Sequence, residues 1–220
     1  MWCVPKLTPE FRERMDAILA LYTEPLRDGH EVHNFDETPK QLLSTPRGGS
    51  SPKSGTPRKL DYEYKRNGRV KIFVAVAPFL GKRTVDITKR RTAQDTADFL
   101  WNYCMKTYKD AVHIHLVLDN LNTHKEVSLR RQWREEKSAH FFSRVTLHFT
   151  PPHASWLNMA EIEINCLKTQ GLRQRIGTVD DMNRVKDAIV AERNARCAKI
   201  NWGFTKAKAR EKFPALYIGN

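Results

Sequence analysis

The sequence predicts a mixed α/β layer fold, on three observations. Val70–Pro78 is a run of β-branched and small apolar residues, and Gly81 turns it back into Arg83–Thr88, the pattern of an antiparallel hairpin. Beyond the hairpin, apolar runs alternate with helix-period segments, the order that lays helices over a sheet. Two apolar runs end in acids, at Asp36 and Asp119, and in open α/β sheets strand ends are where ligand sites gather.

The elements follow from local patterns. Thr8-Pro9-Glu10 supplies the N-cap, first position and first-turn acid of a helix reaching residue 22, with Phe11, Met15, Ile18 and Tyr22 on one face. Pro25 and Gly29 close it. Val32–Asp36 reads as a short strand ending in Asp36 and Glu37, which alternation sends to opposite faces, so at most one points into a given site. Residues 38–59 hold four prolines, three glycines, five Lys or Arg and no acid. That composition builds no core and predicts a flexible basic loop, either a solvated linker or an arm that contacts phosphate or a partner.

After the hairpin, Thr92-x-x-Asp95 is a capping box, and Ala93, Ala97, Leu100, Cys104 and Tyr108 form the apolar face of the helix it opens. His113–Asp119 is nearly continuous in apolar character, as expected of a central strand covered on both sides. His113 and His115 share one of its faces and read as core or near-core residues rather than ligands. A charged helix is expected over roughly 125–137, then a strand at Val145–Phe149 that Thr150-Pro151-Pro152 stops. Ser155 suits the N-cap of the next helix, where Leu157, Ala160, Ile164 and Leu167 form one stripe and Asn158, Glu161, Asn165 and Lys168 another. A last capped helix opens at Thr178-x-x-Asp181 and carries Met182, Val185 and Ile189. Trp156 and Trp202 read as packing residues.

Composition bounds the function. At 220 residues and 40% hydrophobic content the chain is long enough for one domain with a substantial core, and no apolar run approaches a membrane span. The first thirty residues lack a signal-peptide pattern. Cysteines at 3, 104, 166 and 197 form no CxxC pair, which predicts free thiols in a reducing cytoplasm rather than a disulfide frame or a zinc site. A formal charge of +13 favours a polyanionic partner, above all nucleic acid. Residues 165–212 concentrate that charge, with twelve Lys or Arg against five acids, a track suited to a DNA backbone.

A polar stripe containing Glu161 is by itself most simply a solvated face; Asp36 and Asp119 give it a second meaning. Phe35-Asp-Glu-Thr-Pro-Lys-Gln-Leu42, Asp61-Tyr-Glu-Tyr-Lys-Arg-Asn-Gly68, Val117-Leu-Asp-Asn-Leu-Asn-Thr-His124 and Thr150-Pro-Pro-His-Ala-Ser-Trp-Leu-Asn-Met-Ala-Glu161 occur in that order. Asn201-Trp-Gly-Phe-Thr205 and Ala209-Arg210 follow them. Together these segments resemble the catalytic domain of DDE transposases of the insertion sequence 630 family, within the Tc/mariner superfamily. The resemblance implies a ribonuclease H-like fold, a mixed sheet flanked by helices, over residues 31–220, with 1–30 a linker helix leading into it.

The resemblance further implies that Asp36, Asp119 and Glu161 are the catalytic and metal-binding acids. Asp36 would bridge two Mg²⁺ (or Mn²⁺) ions, and Asp119 and Glu161 would each complete one site. Hard carboxylate oxygens suit these cations, which keep waters and accept phosphate oxygens. The implied reaction is phosphodiester cleavage at a transposon end followed by strand transfer into target DNA, by a protein that is a homodimer when bound to DNA. Glu163 lies about 200° around the helix from Glu161 and cannot serve the same site. Asn120, His124 and Asn158 are placed to orient ligands or touch DNA, or to cap and satisfy hydrogen bonds. Arg47, Lys53, Arg58, Lys59, Lys168, Arg173 and Arg175 are the candidate DNA contacts, and the expected location is the cytoplasm, with the nucleoid. No helix-turn-helix pair precedes the first strand, so the expectation is an N-terminally truncated member that binds DNA with little sequence preference. A transposition-inactive remnant acting only as a basic DNA-binding module is the competing reading.

Overall fold

The computed structural model describes residues 7–47, 49–50, 54–55, 59–60 and 62–217. In chain order its main elements are α1 (Pro9–Thr23), β1 (His30–Ser44), β2 (Gly49–Ser50), β3 (Lys59–Leu60), β4 (Lys65–Ala77), β5 (Lys82–Thr88) and α2 (Ala93–Trp101). β6 (His113–Leu118), α3 (Glu126–Arg130), α4 (Glu135–Arg144), β7 (Val145–Phe149), α5 (Ala160–Leu167), α6 (Val179–Ala195) and α7 (Lys206–Lys212) complete it. The main sheet has five strands in the order β5-β4-β1-β6-β7. β4 runs antiparallel to both of its neighbours, β1 and β5, while β6 runs parallel to β1 and β7 parallel to β6. The meander comes from the hairpin the sequence predicted, and the parallel half from strands joined through helices.

Alternation divides the core. Phe35, Phe73, Ile114, Leu116 and Leu118 face α2, α3 and α4 and bury Leu100, Tyr103, Leu129 and Phe141 with them. On the opposite face Val32, Val76 and Val117 pack under α1, the start of α5 and α7. Farther along that face Ile72, Val74 and Val85 pack against Ile164 and Leu167 of α5, Leu172 of the turn that follows it and Met182 of α6. Trp156 and Trp202 pack as expected: Trp156 meets Phe204 at 5.2 Å and Trp202 meets Tyr22 at 5.1 Å.

Three local expectations are corrected. β1 does not stop at Asp36 but runs on through Pro39 to Ser44, so the first part of the expected loop 38–59 is strand. Its parallel pairing with β6 ends at Asn34↔Val117, while pairing with β4 continues to Ser44↔Lys65. Pro39 therefore sits where one edge of the strand is unpaired and a missing N–H costs nothing. Buried Thr38 and Leu42 hold this extension down. The second correction concerns the charged helix expected over 125–137, which is broken into α3 and α4. Trp133 turns inward at the break, 8% exposed, and packs 4.7 Å from Phe141. Third, Ser155 does not cap a long helix. It opens a single 3₁₀ turn, Ser155–Leu157, and α5 begins only at Ala160. Asn158 Oδ1 accepts from the Ala160 N–H at 3.1 Å as the chain enters that helix.

Candidate active site

Register alone brings the first two acids level. Asn34 pairs with Val117 across the parallel β1–β6 ladder, and Asp36 and Asp119 each lie two residues farther along. Asp36 remains inside β1, opposite Val74 of β4, and is 7% exposed. Asp119 lies one residue past β6 and is half-buried. Glu161 comes from the first turn of α5 and is exposed.

Asn158 sets that helix over β1. It is fully buried, its Nδ2 donates to the Phe35 carbonyl at 2.8 Å, and its own carbonyl accepts from the Glu161 N–H at 3.1 Å. One side chain thus ties the backbone beside Asp36 to the turn that carries Glu161. His124 does the equivalent for Asp119: its Nδ1–H donates to Asp119 Oδ1 at 2.5 Å, and its buried Nε2 has no hydrogen-bond partner among the described residues. Asn120 is exposed beside Asp119 and lines a cavity of about 330 Å³ with Asp119, Leu121, Thr150, Pro151, Pro152, His153 and Ser155.

The electrostatics follow from this gathering. Burial pushes the Asp36 carboxyl up to about 7; the Glu37 N–H, which donates to its Oδ1 at 2.7 Å, works against the rise, and the charges of Glu161, Asp119 and Glu37 add to it. Glu37 itself points away, as alternation requires, and its Oε1 pairs with Arg91 at 2.5 Å. Glu163 is committed elsewhere. Fully buried, it accepts from Arg193 Nε and Nη2 at 2.8 and 2.9 Å and lies 3.2 Å from Arg83 Nε.

Asp36, Asp119 and Glu161 fit a hard divalent cation by donor type, since all offer carboxylate oxygens and their like charges favour a positive ion among them. Among the described residues no three His, Cys, Asp or Glu side chains form a ready-made metal cage.

The candidate DNA contacts divide. Lys168 is half-buried and Arg173 exposed, both in the segment after α5. Arg175 donates to the Glu63 carbonyl at 3.2 Å and lies over the Tyr64 ring, and Arg47 pairs with Glu63 at 3.5 Å. Lys59 lies in β3, while Lys53 and Arg58 fall outside the described residues. Lys40 was missed. It shares the Asp36 face of β1, donates from Nζ to the Gln174 carbonyl at 2.8 Å, and has its pKa lowered by burial and by Lys168. The period-2 spacing Asp36, Thr38, Lys40 was there to find, hidden by reading residue 38 as the start of a loop.

Comparison with known proteins agrees with this architecture. The structure resembles the Mos1 mariner transposase in a paired-end complex with Mn (TM-score 0.59, 13% identity), over 89% of this chain and 59% of that one. It also resembles the isolated Mos1 transposase catalytic domain with raltegravir and Mn (TM-score 0.55, 10% identity), over 91% of this chain and 99% of that one. The chain thus spans about three fifths of the longer Mos1 chain. At these identities the likeness is one of fold, the ribonuclease H-like mixed sheet flanked by helices. No curated protein sequence matches the chain. The family model described as DDE superfamily endonuclease does match, over residues 31–183, and the chain accordingly belongs to the DDE superfamily of endonucleases.

Proposed function

We propose that this chain is the catalytic domain of a transposase of the insertion sequence 630 type, cleaving DNA phosphodiesters and transferring the freed strand. The observation that carries the reading is the carboxyl of Asp36 inside β1, raised first by burial and then by the charges of Glu161 and Asp119, which reach it from two other elements. A buried acid with two others close enough to act on its charge, in a chain of formal charge +13, fits a metal-assisted reaction on DNA.

In this reading Asp36, Asp119 and Glu161 would hold two Mg²⁺ or Mn²⁺ ions. When bound, such ions activate the attacking oxygen and stabilise the leaving one. The chain's own residues do the rest. His124 holds Asp119 by one oxygen and, among the described residues, leaves the other without a partner; Asn158 keeps Glu161 over β1; Lys40, Lys168 and Arg173 offer charge to the phosphate backbone beside the acids. The Mos1 complexes contain transposon ends with Mn or Mg, which supports double-stranded DNA, ends and target, as the partner. Action as a homodimer on DNA, in the cytoplasm with the nucleoid, belongs to the same proposal.

Asp119→Asn tests it. Magnesium-dependent nicking of a duplex should be lost while duplex affinity holds or rises, because one repelling charge has gone. Nicking by the variant at the parent rate would end the assignment. Equal binding with no nicking by the parent itself would favour a basic DNA-binding module instead.

A further inference from the structure

His153 carries a conformation that its side chain does not need for folding. Its backbone is left-handed, with φ at 60°, and only Cys197 shares a positive φ among the described non-glycine residues. The Ala154 N–H donates to the Pro151 carbonyl at 3.0 Å, so Pro152 and His153 occupy the middle of a four-residue turn. Positive φ at its third position is the type II pattern, in which glycine or asparagine is the ordinary occupant. The imidazole is exposed and, among the described residues, has no hydrogen bond or ion pair. Most other histidines differ: His30, His33, His113, His115, His124 and His148 all engage a neighbour. Backbone outliers of this kind collect where function fixes the residue.

The location gives that function a subject. His153 lines the cavity of about 330 Å³ that Asp119 also lines. Asn120 and Ser155 line it too, both exposed and with side chains that have no hydrogen-bond partner among the described residues. Three free donors thus border one side of a carboxylate assigned to the reaction: Asn120 beside it after β6, and His153 and Ser155 on the stretch that follows Pro151 and Pro152.

We propose that His153 is a substrate-binding residue whose imidazole N–H donates to a non-bridging phosphate oxygen of the DNA strand lying across Asp119. Asn120 and Ser155 border the same phosphate. The contact is sequence-neutral: it sets where the strand lies rather than reading its bases. The inference rests on the reading of Asp119 as part of the cleavage site, and it adds a residue that the acids alone do not identify.

The test uses His153→Gly and His153→Asn. Glycine is unstrained at positive φ, so His153→Gly should melt at or above the parent temperature. Its kcat/KM for magnesium-dependent nicking should fall about tenfold, chiefly through KM, as for the loss of one contact worth about 1.4 kcal/mol. His153→Asn tolerates the same backbone and retains an N–H donor, and should recover part of the loss. Nicking and duplex affinity equal to the parent in His153→Gly would overturn the proposal, and so would a lowered melting temperature, which would make the imidazole a structural group. If the parent does not nick, the reading of Asp119 fails. Duplex affinity then decides His153 by itself, a several-fold loss in His153→Gly supporting the contact and unchanged affinity refuting it.

Discussion

Asp36 bears most of the strain among the candidate residues. Its carboxyl titrates near 7 in the folded chain against 3.8 as its ordinary value, from burial first and then from the charges of Glu161, Asp119 and Glu37. The sign of the consequence is fixed. Between those two pH values the folded protein keeps a proton that the unfolded chain releases, so stability declines as pH rises, and the full penalty stands above about pH 7. Asp36→Asn removes the penalty, on the order of 1–4 kcal/mol. Metal-free Asp36→Asn should therefore melt several degrees above the parent at pH 8 and no higher near pH 4. Added magnesium should narrow the gap by raising the parent. A parent that melts with the variant at every pH would show that Asp36 is not ionised against its surroundings. Strand alternation alone says that Asp36 and Glu37 must face apart, and motif position rather than alternation favours Asp36. That Glu37 is neutralised by Arg91 was not legible, because nothing local relates residues 37 and 91.

At the scale of elements, α5 carries Glu161 and is held from two sides. Asn158 fixes its first turn to β1, and Glu163 fixes its back to β5 through Arg83 and to α6 through Arg193. Arg83 is held in turn by the carbonyls of Gly81 and Ala198, at 2.7 and 2.6 Å. Glu163→Gln leaves two guanidinium groups facing a neutral amide in a dry setting, and breaking such a pair costs about 3 kcal/mol. Denaturant unfolding of Glu163→Gln should show that loss, and an unchanged midpoint would mean that the trio does not brace α5.

β1, β6 and β7 carry a second device. His30 Nδ1 lies 3.2 Å from His115 Nε2, and His115 Nδ1 lies 3.1 Å from His148 Nε2. Burial, then the neighbouring imidazoles, push His115 and His148 down to about 4 from an ordinary 6.5. The unfolded chain takes up these protons first, so stability is complete above about pH 6.5 and is lost as pH falls toward 4. His148→Gln should flatten that acid limb in urea unfolding compared at pH 7.5 and pH 5. Equal sensitivity to acid in parent and variant would remove the histidines as its cause.

For the whole molecule the governing quantity is charge. A formal +13, with twelve cations against five acids in residues 165–212, predicts duplex binding driven by release of counterions. Affinity should drop roughly 10³-fold or more between 50 and 200 mM salt if six or more phosphates are neutralised. A flat response in a fluorescence titration would show that these cations do not meet a phosphate backbone. Arg47 and Arg175 are already engaged by the Glu63 and Tyr64 stretch, so their substitution should alter the salt slope less than that of Arg173.

By itself the sequence determined what depends on near neighbours. Val145–Phe149 as a strand, the capping box at Thr92, the caps at Thr8 and Thr178, the hairpin through Gly81 and the acid that follows the His113–Leu118 strand all follow from residues within a few positions of one another. Tertiary structure decided what depends on a partner elsewhere in the chain. β1 passes through Pro39 because β4 pairs with one edge and no strand claims the other. The charged helix breaks at Trp133 because Phe141 offers it a buried surface. Glu161 is left exposed and Glu163 enclosed because Arg83 and Arg193 arrive from β5 and α6. Propensity and periodicity describe what a segment can do, whereas burial and pairing are set by what folds against it.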